Sequence, residues 1–126
     1  MSGSIIYTEK APKPIGPYSQ AIAEGDLLFL SGQIALDPAT GEMAGITIEE
    51  QTGRVLANIR AILESQGLDF SDLVKVTVFL VSMTDFTLVN RIYQEALGEA
   101  KPARSVVEVS RLPRGALIEI EGIAAR

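Results

Sequence analysis

Arg104 is the first residue whose type and setting suggest chemistry. It follows Pro102–Ala103 and opens a strongly apolar run that includes Val107 and Val109. On a strand its side chain lies on the face opposite those two valines, where a guanidinium can grip a planar carboxylate through two parallel hydrogen bonds. An ion pair with Glu119, Glu121 or a neighbouring subunit explains the pattern equally well. Glu119 sits in a terminal run rich in isoleucine. Burial would raise its proton affinity and a nearby Arg104 would lower it, a balance suited to a proton acceptor or a group that positions water. Glu121 shares its strand face. Acids at i,i+2 stand on one side of a substrate rather than across it, so glycosidase chemistry is disfavoured and interface salt bridges explain the pair better.

Three further residues can support a ligand. Tyr18 follows Gly16–Pro17, so a stiff turn can hold its phenol in a cleft, although core or interface packing is an equal reading. Ser31–Gly32–Gln33 ends an apolar strand, where a small ligand can approach the backbone closely; Ser31 has neither histidine nor a nearby lysine to make it a nucleophile. Asn90 can orient a ligand, cap a loop or face solvent. Arg91, Arg111 and Arg114 read as surface or subunit ion pairs.

What is missing narrows the chemistry. The chain has no cysteine and no histidine, which removes disulfides, thiolate chemistry, iron–sulfur clusters, the commonest neutral-pH base and the usual partner of a serine nucleophile. No glycine pattern suits a dinucleotide or a nucleoside triphosphate, and no carboxylate spacing specifies a metal cage, so neither cofactor nor metal is expected. A net charge of −5, from 16 acidic and 11 basic residues, disfavours a broad phosphate-binding surface, and the scattered aromatics form no RNA-binding platform. A pocket can still focus the field of one arginine on a small anion.

The elements that must position these residues are those of one α/β domain spanning residues 1–126. An apolar fraction of 47% supports a real core. The Met1–Gly3 start lacks the basic and apolar parts of a secretory signal. No stretch reaches the roughly 18–20 apolar residues that span a bilayer; a cytoplasmic protein without membrane contact is expected. Strands are predicted at Ile5–Thr8, Tyr18–Ala23, Leu27–Ser31, Val74–Val81, Ala103–Val109 and Ala116–Ile123, with a hairpin turn at Glu24–Asp26 and another turn at Asp37–Gly41. Thr47 and Glu50 have capping-box spacing, and Val55, Leu56, Ile59, Ile62 and Leu63 form the stripe of a helix that stops at Gly67, with Asn58 nearer its outer side. A second helix runs from Asp85 or Phe86 to Leu97 and ends at Gly98. In the fourth strand Val74, Val76, Val78 and Leu80 share one face, while Phe79 and Val81 make the other apolar too, as in an interior strand.

Two helices cover one face of a roughly six-stranded sheet. Phe79, Val81, Val106, Leu117 and Ile123 then make a fully solvated opposite face unfavourable, and self-association through packed sheets is the expected solution.

The chain also resembles the RidA family (YjgF/YER057c/UK114) of reactive-intermediate deaminases. The resemblance rests on Ile15–Gly16–Pro17–Tyr18–Ser19–Gln20, Ser31–Gly32–Gln33–Ile34, Val76–Thr77–Val78–Phe79 and Phe86–Thr87–Leu88–Val89–Asn90. It continues through Pro102–Ala103–Arg104–Ser105, Glu108–Val109–Ser110–Arg111–Leu112–Pro113 and Ile118–Glu119–Ile120–Glu121. It implies a chorismate-mutase-like α/β fold, a mixed, mainly antiparallel sheet with two helices on one face, and a barrel-like homotrimer with clefts between subunits. It implies carboxylate recognition by Arg104, with Tyr18, Ser31, Asn90 and Glu119 lining or supporting the cleft.

The family often has cysteine after its Arg–Ser pair where this chain has Val106, and the segment Leu97–Pro102 is shorter and more polar than usual, which bears on the cleft mouth and on substrate choice. The implied activity is hydrolysis of 2-aminoacrylate, through 2-iminopropanoate, and of related 2-imino acids such as 2-iminobutanoate. The products are 2-keto acids and ammonia, a detoxifying step in amino-acid metabolism. The alternatives are a small-metabolite-binding or chaperone-like trimer without turnover, and an endoribonuclease.

Overall fold

Thr47 and Glu50 do start a helix. The Thr47 hydroxyl accepts the Glu50 N–H at 3.1 Å while the Glu50 carboxylate accepts the Thr47 N–H at 3.2 Å, so both ends of the capping box are closed. Such a cap contributes about 1 kcal/mol. The helix, α1, spans Ile48–Glu64, and Gly67 at φ 72° follows its end. The structure, a computed structural model, describes residues 3–126. Around α1 lie β1 (Ser4–Ile6), β2 (Ala21–Glu24), β3 (Leu27–Gln33), β4 (Leu73–Leu80), α2 (Phe86–Leu97), β5 (Ala103–Glu108) and β6 (Ile118–Ala125). Short 3-10 turns at Phe70–Asp72, Met83–Asp85 and Pro113–Gly115, none of them foreseen, join these elements.

The sheet order is β1-β2-β3-β6-β4-β5. Every neighbouring pair is antiparallel except β4 and β5, which run parallel because α2 carries the chain back between them. Both helices pack on one face. There Val76, Val78, Leu80, Ile118 and Ile120 meet Val55, Ile59, Ile62 and Leu63 of α1 and Val89 and Leu97 of α2 in one core. This is the six-stranded sheet with two helices on one face expected from the pattern, and the mixed, mainly antiparallel arrangement that the resemblance implied.

Several local expectations shift. Tyr18 lies outside β2, because its N–H turns back onto the Gly16 carbonyl at 2.8 Å instead of joining the sheet. Val74 is exposed, and Leu73 fills the helix side in its place, because the β4–β6 register shifts between Leu73 and Lys75. Asn58, expected near the outer side of α1, is fully buried; its amide donates to the Ile34 and Leu36 carbonyls and its oxygen accepts from Arg54. It ties α1 to the segment leaving β3. Val106 and Leu117 pack against the helix-side core, not on the open face.

The register shows what occupies that open face. Ile5 stands opposite Ile22, Ile22 opposite Phe29, and Phe29 opposite Ile123; Phe79 stands opposite both Glu119 and Val107. Ile5, Phe29 and Val107 are exposed, and Ile22, Phe79 and Ile123 are half-buried.

Candidate functional site

Strand parity divides the predicted site residues into two groups on opposite faces of the sheet. Arg104 on β5 stands opposite Val76, whose side chain is in the helix-side core, so Arg104 points to the helices. Glu119 on β6 stands opposite Phe79, one residue out of phase with buried Val78, so Glu119 points to the open face.

In the first group α2 fixes the arginine. The Arg104 guanidinium donates to the Asn90 side-chain oxygen at 2.8 Å. It also lies 4.8 Å from the Tyr93 ring centre and 5.9 Å from that of Phe86. An arginine side chain loses roughly 2 kcal/mol of rotamer freedom when it is fixed, and a cation–ring contact of about 0.5–2 kcal/mol plus one charge-assisted hydrogen bond offsets much of that. The guanidinium is thus preorganised, and its remaining N–H groups have no carboxylate partner. Among the described residues the one ion pair is the exposed Arg91–Glu95, at 3.9 Å. A hollow of about 400 Å³ opens beside Arg104, lined also by Asn90, Tyr93, Gln94, Lys101 and Pro102. Burial pushes the Tyr93 phenol above its usual range, and the Arg104 charge partly opposes this.

The second group surrounds a hollow of about 480 Å³ that includes Tyr18, Ser31, Gly32, Arg114, Glu119 and Glu121. The Ser31 hydroxyl donates to the Ser19 carbonyl at 2.6 Å, which commits its proton and leaves lone pairs for a ligand. Burial first, and the Glu121 charge second, raise the Glu119 carboxyl above the ordinary glutamate range. The expected lowering by a nearby Arg104 does not occur within the chain, because the sheet lies between them. Gly32 decides where Glu119 rests. A Cβ on Gly32 would fall 1.9 Å from Glu119 Oε2, so the carboxylate occupies the space a side chain would fill. The β3–β6 register slips between Leu30 and Gln33, and this slip sets Gly32 beneath the acid.

Two supports escaped the sequence reading. Gln20 is buried, and its amide nitrogen donates to the carbonyls of Thr8, Ala11 and Pro12 while its oxygen accepts the Thr8 N–H. This ties down the proline-rich loop that carries Tyr18; the signal was a glutamine at the end of that loop, next to an apolar strand. Arg114, expected in a surface or subunit ion pair, makes none within the described residues of one chain; it adopts φ 60°, donates to the Gly41 carbonyl at 3.3 Å and lines the Glu119 hollow.

Within one chain, then, Tyr18, Ser31 and Glu119 come together, Asn90 and Arg104 come together, and the two groups stay apart. One group offers a fixed cation for an acid; the other offers a proton acceptor of raised pKa beside a phenol.

The endoribonuclease L-PSP family profile matches residues 8–126. A RutC family protein of Pyrococcus abyssi is 57% identical over 124 residues, covering 98% of each chain. Reactive Intermediate Deaminase A, chloroplastic, of Arabidopsis thaliana is 47% identical, covering 95% of this chain and 64% of its own. Among solved structures, the E. coli YjgF gene product superposes with a TM-score of 0.93 at 44% identity, and E. coli TdcF, solved with bound serine, with 0.93 at 40%; each match covers 98% of both chains. The motifs, the sheet order and these relatives agree: the chain belongs to the RidA/YjgF proteins of the endoribonuclease L-PSP family.

Proposed function

We propose that this protein is a 2-imino acid deaminase whose site forms between copies, with Arg104 and Asn90 of one chain facing Tyr18, Ser31 and Glu119 of the next. The single observation that carries this reading is the separation of a preorganised, carboxylate-free arginine from its expected acid by the thickness of the sheet. Arg104 lies on edge strand β5, and Glu119 lies on the helix-free face, which also exposes Ile5, Phe29 and Val107. Abutting the edge of one copy on the open face of another would bury those side chains and close the site. Repeated around an axis, this head-to-tail contact makes a ring, and the resemblance to RidA supplies the number three.

In the proposed reaction Arg104 holds the substrate carboxylate and so places the adjacent C=N carbon. Glu119, ionised, orients a water and takes its proton as the water's oxygen bonds to that carbon. Glu119 passes that proton to the imine nitrogen, giving the carbinolamine. The hydroxyl proton then moves through the same carboxylate to the amino group as C–O becomes C=O and the C–N bond breaks, so ammonia leaves and a 2-keto acid remains. An imine is already electrophilic, so orientation and electrostatics suffice without a nucleophilic side chain. The Arabidopsis relative named as a reactive intermediate deaminase and the E. coli relative with bound serine support a small amino-acid-like substrate. A cytoplasmic place of action beside amino-acid-consuming enzymes belongs to this reading.

The test generates 2-iminopropanoate and 2-iminobutanoate freshly and measures ammonia release above buffer. Arg104→Ala is expected to lower kcat/KM about a thousandfold, the loss of a bidentate charged contact in the transition state, with fold and assembly preserved. Equal activity in the variant contradicts the assignment. The family description favours a second reading, RNA cleavage; the net charge of −5 and the missing histidine weigh against it. Salt-dependent RNA binding with Arg104-dependent cleavage, and no ammonia release, would establish it instead.

A further inference from the structure

The Arg104 hollow has an unusual charge for a chain with five surplus negative charges. Its lining includes two cations, Lys101 and Arg104, and no carboxylate. Asn90 and Gln94 add neutral polar groups, so few apolar surfaces await an aliphatic tail. Lys101 is exposed, yet its backbone is held at both ends. Gly98, at φ 62°, turns the chain out of α2 with its N–H on the Gln94 carbonyl. The Ala100 N–H then bonds the Leu97 carbonyl at 3.1 Å, and Pro102 leads into β5. This short connection keeps Lys101 three residues ahead of Arg104 at the rim of the same hollow. A substrate with one carboxylate satisfies Arg104 and leaves Lys101 as a like charge beside it.

We propose that this site prefers 2-imino dicarboxylic acids, with Arg104 holding the carboxylate next to the C=N carbon and Lys101 holding the distal one. The inference rests on the deaminase reading above and names its substrate class. The other hollow sets two acids, Glu119 and Glu121, against the single cation Arg114, and this net negative charge favours the distal carboxylate lying toward Lys101. The chemistry is unchanged and balanced: an imino dicarboxylate plus water gives the 2-oxo dicarboxylate plus ammonia. The supplying reaction must be one that oxidises the α-carbon and amino group of an acidic amino acid to C=N.

The test compares freshly generated imines of aspartate and glutamate with those of alanine and 2-aminobutyrate. The wild-type protein should favour the dicarboxylic class in kcat/KM. Lys101→Ala should lower the dicarboxylic-to-monocarboxylic ratio about tenfold, the effect of losing one charge-assisted contact, while Lys101→Arg retains it. Calorimetry with the products, 2-oxoglutarate against 2-oxobutanoate, reads the same preference without turnover. A ratio that Lys101→Ala leaves unmoved, or a wild-type preference for monocarboxylic imines, overturns the proposal while the deaminase reading stands. Lys101-dependent binding of 2-oxoglutarate with no ammonia release from any imine keeps the dicarboxylate site and removes the deaminase reading.

Discussion

Arg104 and Glu119 are held in opposite ways. The arginine is gripped by side chains of α2, one by hydrogen bond and two by ring faces, on the covered side of the sheet. The glutamate is placed by an absence, the missing side chain of Gly32, on the side no helix covers. The first arrangement secures a permanent charge in one geometry, as binding a carboxylate requires. The second leaves a carboxyl partly desolvated beside another acid, which raises its proton affinity as a general base requires. On the proposed reading, recognition and proton transfer draw on separate parts of the fold, and each chain supplies one half of a cleft shared with a neighbouring copy.

That contrast can be broken most strongly at Gly32. In Gly32→Ala the added methyl meets the far end of a flexible side chain, so the fold should survive while the Glu119 carboxylate moves away. We expect a loss in kcat of about a hundredfold, in line with misplacing a general base, with KM little changed because Arg104 lies elsewhere. Pairing the change with Glu119→Asp, one methylene shorter, should restore part of the rate. A loss confined to KM would place Gly32 in carboxylate binding instead.

The next effect is on pH. Glu119 must be ionised to take a proton, so activity should rise with pH along an acidic limb that burial and Glu121 push upward and the facing Arg104 of the next copy pulls down. Glu121→Gln removes the neighbouring negative charge and should move that acidic limb to lower pH; an unmoved limb would mean that Glu121 does not act on it. The same shift affects stability. The folded chain holds the Glu119 proton more tightly than the unfolded chain, so stability falls as pH climbs from the ordinary glutamate value through the raised one, and the loss stays constant above it.

The smallest effect separates stability from chemistry. Gly53 lies within α1, away from both hollows, and a methyl added there would meet nothing within 4 Å; its φ is not positive. Gly53→Ala should raise stability by about 1 kcal/mol in denaturant unfolding, through helix propensity alone, and should leave ammonia release unaltered.

Much of this fold was legible because its signals are local. The Thr47–Glu50 spacing, the apolar stripe of α1, and Gly67 and Gly98 after the helices each report on a single element. What escaped depends on how elements meet. Val74 follows the alternation of its strand until a register slip turns it outward, and Asn58 looks polar and external until the carbonyls leaving β3 accept its amide. Arg104 and Glu119 each show their strand parity in the sequence, but β5 and β6 are aligned only through β4, so their placement on opposite faces appears once the register is known. Around the Glu119 hollow, the stiff turn before Tyr18 and the strand end at Ser31 are visible in the sequence; the anchoring by Gln20, the place of Lys101 beside Arg104 and the closeness of Gly32 to Glu119 belong to contacts across the sheet and loops.

On the proposed reading, one cleft takes its arginine and its glutamate from different copies of the chain. Arg104→Ala and Glu119→Gln should each be nearly inactive alone. Unfolded together in equal amounts and refolded, they should regain about a quarter of wild-type ammonia release, the share of random interfaces that unite an intact Arg104 with an intact Glu119. A mixture that assembles normally yet stays as inactive as either variant would contradict the shared cleft.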